Sequence, residues 1–363
     1  MDAHYSALGH TSMGISESLL GKKNVDGNPY IEAIEPPASL PGGEVRILGR
    51  ALKPPQLARP EVLFSGMRGP IVVSSEDFVI ARVPFGAESG LVTVQNNGYV
   101  SNGRELKIAQ PIAESLHPVA NPAIDRDGNI YVTYSGGRGQ KVPVAIYKID
   151  AEHNAPKPFL PELMNATGMA FDPQGQLYVS SRYDGTVYRV APNGTLSTYA
   201  EGMGVATGIA FDKSGNLYVG DRSGTIWRIA PDRQIFVFAT LEASVAAYHL
   251  AFAPDGTLYV TGPTNSSFEP VYSVDPHGTV TVFYRGLGRP QGLAFDVQGN
   301  LYVAASLGGK RGIVKITPDK RASLAIAGHG LVGLAFTRTG GAVLVTTNAV
   351  FHLTWGVQGL PLI

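Results

Sequence analysis

The chain of 363 residues has no cysteine, which excludes disulfide staples, thiolate metal sites and thiol nucleophiles together. It lacks an excess of either charge: Lys+Arg and Asp+Glu stand at 29 each. No net field therefore draws it toward nucleic acid or anionic lipid, and neither is expected as a partner. It lacks any apolar run long enough to cross a bilayer. The stretch Met1 to Lys23 has neither the basic nor the apolar segment of a secretory leader. The expectation is a soluble, cytoplasmic protein; a leader already removed would make it secreted or periplasmic. Also missing are the Gly-x-Ser-x-Gly elbow of serine hydrolases and the His-Glu-x-x-His helix of zinc proteases.

What the chain has in quantity is turn chemistry, with 44 Gly and 26 Pro among many Val, Thr and Tyr. That mixture suits short strands joined by tight turns. Six copies of one phrase organise it. Ala123-Ile124-Asp125 to Ile130-Tyr131-Val132 returns as Ala170-Phe171-Asp172 to Leu177-Tyr178-Val179. It recurs from Ala210, from Ala251 and from Ala294, and in worn form from Ala335-Phe336-Thr337 to Val343-Leu344-Val345. The period of roughly 40 to 47 residues matches a four-stranded propeller blade. Each copy adds a third alternating strand, such as Val187-Tyr188-Arg189-Val190, a second turn, and an outer strand. The sixth copy runs out after its third strand. A strand near Gln110 to Leu116 is expected to complete it and close the ring, with the C-terminal tail as the alternative.

The expected fold class is all-β, an N-terminal immunoglobulin-like sandwich plus a six-bladed β-propeller. Residues 1–28 read as a mobile tail, 29–109 as the sandwich and 110–363 as the propeller. Within 29–109, strands are expected at Ile31–Pro36, Glu44–Gly49, Glu61–Phe64, Phe78–Pro84 and Gly90–Gln95. The phrases Tyr30-Ile31-Glu32-Ala33-Ile34-Glu35-Pro36 and Pro41-Gly42-Gly43-Glu44-Val45-Arg46-Ile47-Leu48-Gly49 resemble the TIG/IPT family, as does Ser89-Gly90-Leu91-Val92-Thr93-Val94. That resemblance implies an interaction or spacer module.

The Gly-Leu-Ala-Phe-Asp…Gly-Asn-Leu-Tyr-Val phrase is similar to NHL-repeat proteins and to the regucalcin/gluconolactonase superfamily, over about Leu116 to Trp355. The lactonase branch implies one axial divalent cation held by a Glu, two Asn and an Asp. The matching positions here read Asn121, Thr167, Thr207, Tyr248-His249, Gln291 and Val332. A hard cation wants several charged or carbonyl oxygens. Only Asn121, and after it Gln291, offers an amide oxygen, so no metal site and no cofactor are expected. The lactonase alternative would need a divalent cation at a rebuilt site around Asn121, His249 and Gln291.

The repeated tyrosines (Tyr131, Tyr178, Tyr218, Tyr259, Tyr302) read as packing between blades. The repeated aspartates (Asp125, Asp172, Asp212, Asp296) read as turn formers. Residues that break the repeat carry the candidate site. The face on which the inner strands begin should gather Asn121, Arg182, Tyr183, Asp221, Arg222, Tyr248, His249, Arg289 and Gln291 as ligand-binding residues. Thr167, Thr207, Tyr134, Arg138, Lys141, Asp184, Asn265, Glu269, Lys310 and Arg311 should lie near them. Cations outnumber carboxylates there, which suits a polar or anionic small molecule, a glycan or a protein partner. His249 stands where most copies have glycine and is the candidate base or ligand. His117 and His329 lack a recognisable partner in sequence. Gly136-Gly137-Arg138-Gly139-Gln140-Lys141 lacks the Ser/Thr of a phosphate loop and reads as a flexible insertion. Three functions follow from these readings. The leading one is a recognition protein with the TIG-like domain as spacer or docking module. A lactonase-like hydrolase is the second, and a homo-oligomeric structural protein the third.

Overall fold

Alternating strands bounded by Gly, Pro, Asn and Asp turns leave the backbone few choices, and among the described residues every regular element is a β-strand. The computed structural model describes residues 28–53, 59–137, 139–151 and 155–360. The expected N-terminal tail and Arg138 lie outside the described residues, apart from Asn28.

Six four-stranded units follow one another. The first holds Ala123–Ile124, Ile130–Thr133, Ile146–Ile149 and Pro156–Leu160. The second begins at Ala166–Phe171, the third at Ala206–Phe211, the fourth at His249–Phe252 and the fifth at Leu293–Phe295. The sixth has Leu331–Phe336, Gly341–Thr346 and Ala349–Thr354, and its fourth strand is Gln110–Glu114. That strand runs antiparallel to Ala349–Thr354 with Gln110 opposite His352, so the early segment closes the ring as the sequence suggested. Ala113 and Leu116 share a core with Ile130, Val132, Val343 and Val350, which seals the seam between blades 6 and 1. The C-terminal tail goes elsewhere: Leu360 N–H donates to Phe295 O at 2.7 Å, across the turns of blade 5. The architecture is an all-β propeller.

Each blade is wedged to the next by the repeated tyrosine. Tyr178 meets Phe211 of the following blade edge to face at 4.9 Å, and Tyr218 meets Phe252 at 5.1 Å. Tyr259 and Phe295 repeat the contact at 4.8 Å. The hydroxyl end of the stripe is held by the turn aspartates: Tyr218 donates to Asp212 and Tyr302 to Asp296. Asp212 Oδ1 also accepts the N–H groups of Ser214 and Asn216 at 2.9 Å each. Tyrosine and aspartate thus form one device, packing on one side and a turn on the other.

Ahead of the ring, two sheets face each other. Tyr30–Glu35, Glu44–Arg50, Phe78–Arg82 and Ile71–Ser74 form one; Met67–Gly69, Glu61–Phe64, Gly90–Asn96 and Arg104–Ile108 form the other. Ile31, Val45, Ile47 and Val79 from the first bury against Val62, Phe64, Val94 and Leu106 from the second. The two-residue strand Ala38–Ser39 lies parallel to Arg104–Ile108 and also parallel to blade 5's outer strand Ala322–Ala327. It therefore joins the sandwich to the propeller as one continuous sheet and covers an edge that would otherwise stay open. Leu40 follows it into the core shared with Ile326, Leu331 and Leu334.

Candidate functional site

A propeller has two faces. On the loop face the inner strands begin; on the turn face the aspartate turns join first strand to second. The sequence placed its candidates on the loop face, and the structure gathers them there as ties between loops. Arg182 Nη2 donates to Gly136 O at 3.0 Å. Arg222 donates to Ser244 O and, at 2.8 Å, to Val245 O. Asp221 is buried and accepts from the N–H of Val205 and from Ser223. Glu269, wholly buried, accepts from the N–H and hydroxyl of Thr264. Asn165 pins the glycine-rich insertion, donating to Gly136 O and Gly137 O and accepting from Gly139 N–H. These bonds tie Gly136, Gly137 and Gly139 to blade 2. Tyr183 and Arg289 remain exposed on this face, as does His329. His117 Nδ1 pairs with Thr347 O at 3.1 Å.

Near the axis the inner strands of neighbouring blades approach closely. Gly208 N–H donates to Tyr248 O at 2.9 Å, and Gly292 N–H to Val332 O at 3.0 Å, each across a blade boundary. Glycine is required here, because a Cβ at Gly208 would collide with the Tyr248 carbonyl oxygen. Thr207 Oγ1 donates to Gly220 O and accepts Tyr248 N–H from the next blade. Tyr248 is fully buried and its hydroxyl donates to Glu242 O; burial raises its pKa. Thr167 donates to Asn165 O. Gln291 accepts the Thr261 hydroxyl through its backbone oxygen. These threonines and Tyr248 are framework.

Two side chains break the glycine column, Asn121 in blade 1 and His249 in blade 4. The Asn121 amide is tied at both ends: Nδ2 donates to Leu293 O at 2.9 Å and Oδ1 accepts Leu334 N–H at 3.1 Å. Its nitrogen is held by blade 5 and its oxygen by blade 6, which leaves it a poor metal ligand. His249 is different. It is 3% exposed, and among the described residues nothing hydrogen-bonds, pairs with or stacks on its ring. Burial alone lowers its pKa from 6.5 to about 4, so the imidazole is neutral at pH 7.

Both residues line a cavity of about 460 Å³ that runs down the axis and opens on the turn face between blades 3 and 4. Met169, Ile209, Phe211, Leu250, Phe252 and Phe295 supply its walls, with Leu360 of the C-terminal tail beside them. Its mouth is formed by the turn Asp212–Asn216 and by Pro254 and Gly256. Of the sequence candidates, only Asn121 and His249 reach it; Arg182, Tyr183, Asp221, Arg222, Tyr248, Arg289 and Gln291 do not. A broader hollow on the same face, lined by Asp125, Arg126, Lys148, Asp172 and Arg338, mixes both charges. Among the described residues no three His, Asp or Glu side chains are grouped to hold a metal ion.

The walls escaped notice in sequence because each is also the core residue of its own repeat. The absence of glycine at position 249 was the one legible signal.

Residues 208–229, most of blade 3, match the family model "Strictosidine synthase-like, N-terminal". No curated protein sequence matches the chain. Among solved structures, a candidate gluconolactonase from structural genomics is 17% identical with a TM-score of 0.58, covering 70% of this chain and 94% of its own. An auxiliary nutrient binding protein from Bacteroides thetaiotaomicron is 11% identical with a TM-score of 0.55, covering 90% and 97%. A gluconolactonase from Xanthomonas campestris is 15% identical with a TM-score of 0.52, covering 67% and 88%. These likenesses establish a gluconolactonase-like propeller fold; the structures that carry it include both hydrolases and binding proteins.

Proposed function

We propose that this protein is a small-molecule recognition protein whose binding site is the axial cavity. The observation that carries this reading is His249, a buried, unpartnered imidazole at the inner end of that cavity. The ring lines the cavity with its hydrogen-bonding capacity unused by the protein, so a bound molecule can take it up. The sandwich, which resembles a TIG/IPT immunoglobulin-like domain, serves as the docking module, fixed by Ala38–Ser39 against blade 5. Likeness in fold to nutrient-binding proteins supports the same direction, though fold alone does not assign function.

The second reading is a divalent-metal lactonase, favoured by the gluconolactonase-like fold and by an available imidazole nitrogen. The donor set fits it poorly: Asn121 Oδ1 accepts Leu334 N–H, the Thr167 and Thr207 hydroxyls donate to backbone oxygens, and among the described residues no three His, Asp or Glu side chains are grouped to hold a metal. One experiment separates the two. Chelator-treated protein is unfolded thermally with a metabolite panel and, separately, with calcium, manganese or zinc. At about a hundred times Kd a specific ligand adds about 2.7 kcal/mol of stability. Binding predicts an organic ligand whose stabilisation disappears in His249→Phe, with no saturable shift from any cation. A saturable cation shift accompanied by lactone turnover would replace this reading with the hydrolase.

A further inference from the structure

Resting on that reading, the cavity also limits what the ligand can be and how it enters. Around His249, whose ring has no partner among the described residues, the walls offer aromatic edges and aliphatic side chains, while Asp212, Lys213, Ser214, Asn216 and Arg228 also line the cavity. The charged loop-face residues, which suggested a polar or anionic guest, do not reach this space. At the loop-face end the inner strands are tied blade to blade by Gly208 bonding to Tyr248 O and Gly292 to Val332 O, and the Asn121 amide reaches blades 5 and 6, whereas the turn residues Asp212, Lys213, Ser214, Pro254 and Gly256 line the other end.

We infer that the cavity takes a flat, largely apolar molecule carrying one hydrogen-bonding group, seated with that group on His249 and admitted from the turn face. The chemistry follows from the lining. Offset and edge-on contacts with Phe211, Phe252 and Phe295 favour a ring system. Seated on His249, a sugar or sugar acid would leave the hydroxyls that face Met169, Ile209 and Leu250 without partners, which discriminates against it. The neutral imidazole donates from one nitrogen or accepts at the other, so a phenol, an indole N–H or a ring carbonyl satisfies it. A cavity of about 460 Å³ lies in the range of small-molecule sites.

The test is calorimetric titration of the full chain with two probe sets, 2-naphthol, indole and coumarin against glucose, gluconate and glucono-δ-lactone. Parent, His249→Phe and Arg289→Ala are compared, with Phe chosen because it keeps the site filled. Melting curves of each variant confirm that it is folded. The expected result is one-to-one binding of at least one aromatic probe, weakened about tenfold or more in His249→Phe and unchanged in Arg289→Ala. Met169→Ala, which enlarges the cavity without touching His249, should alter probe affinity whether or not His249→Phe folds. Sugar-type probes binding through His249 while aromatic ones do not would overturn the ligand class and leave the axial site standing. Binding of either set that depends on Arg289 and not on His249 would overturn both. No binding by any aromatic probe would overturn the ligand class alone.

Discussion

Asn121 and His249 occupy the same repeat position in blades that face each other across the six-fold ring, and only Asn121 has its hydrogen bonds made. One side chain locks the ring and the other is left to the cavity. The pair separates structure from recognition at a single level of the axis.

Asn121→Ala leaves Leu293 O and Leu334 N–H without partners. Two lost bonds at a part-buried site should cost roughly 2–3 kcal/mol, read as a lower urea midpoint at unchanged slope. An unchanged midpoint would show that the seam closes without this amide.

His249 makes stability depend on pH. Its pKa is about 4 in the fold against 6.5 for the free side chain, so the unfolded chain takes the proton first as pH falls. Its contribution is complete above about pH 6.5, is lost between about 6.5 and 4, and changes no further below that, a total of about 3 kcal/mol. His352 is shifted down by burial as well and acts with the same sign. The comparison is therefore His249→Phe against parent, with urea unfolding at several pH values. The variant should lose less stability on acidification, and parallel curves would remove His249 from the account.

The tyrosine wedge predicts coupling. Tyr178→Ala should cost about 3–5 kcal/mol through lost burial. A double-mutant cycle with Phe211→Leu should recover a coupling of about 1 kcal/mol between the two rings. Simple additivity would mean that the rings are neighbours without mutual preference.

Leu40 is 2% exposed in the core that joins sandwich to propeller. Because the two share a sheet through Ala38–Ser39, the parent should melt in one calorimetric transition. Leu40→Asp buries an unpaired carboxylate at that junction and should split the melt into two. A single transition in the variant would show that the junction does not couple the two parts.

Much of this fold is written in the repeat. The Asp turn, the Tyr wedge and the missing fourth strand of blade 6 are local patterns, repeated often enough to be read without the structure. The strands expected at Glu44–Gly49, Glu61–Phe64 and Gly90–Gln95 were legible from their own short apolar patterns, and they run Glu44–Arg50, Glu61–Phe64 and Gly90–Asn96. Ala38–Ser39 was not, since two residues carry no periodicity and their partners lie far along the chain. The candidate site was legible at one residue. His249 stood out against a glycine column, whereas Arg182, Arg222 and Asp221 drew attention by charge and proved to be bonded to neighbouring loops. Sequence shows which residues differ from the repeat; it does not show where their hydrogen bonds go.

The pairing of Gln110–Glu114 with Ala349–Thr354 also sets an order for biosynthesis. The closing strand leaves the ribosome before any complete blade, yet its partner is among the last segments made. Five blades must emerge while that strand waits, its edge unprotected. The sandwich, made first, can fold early and hold the waiting strand beside its own last strand. A chain cut short between Ala327 and Ala349 keeps the sandwich and five blades and still cannot close, exposing an edge that chaperones and proteases recognise. For this protein a late truncation is as damaging as an early one.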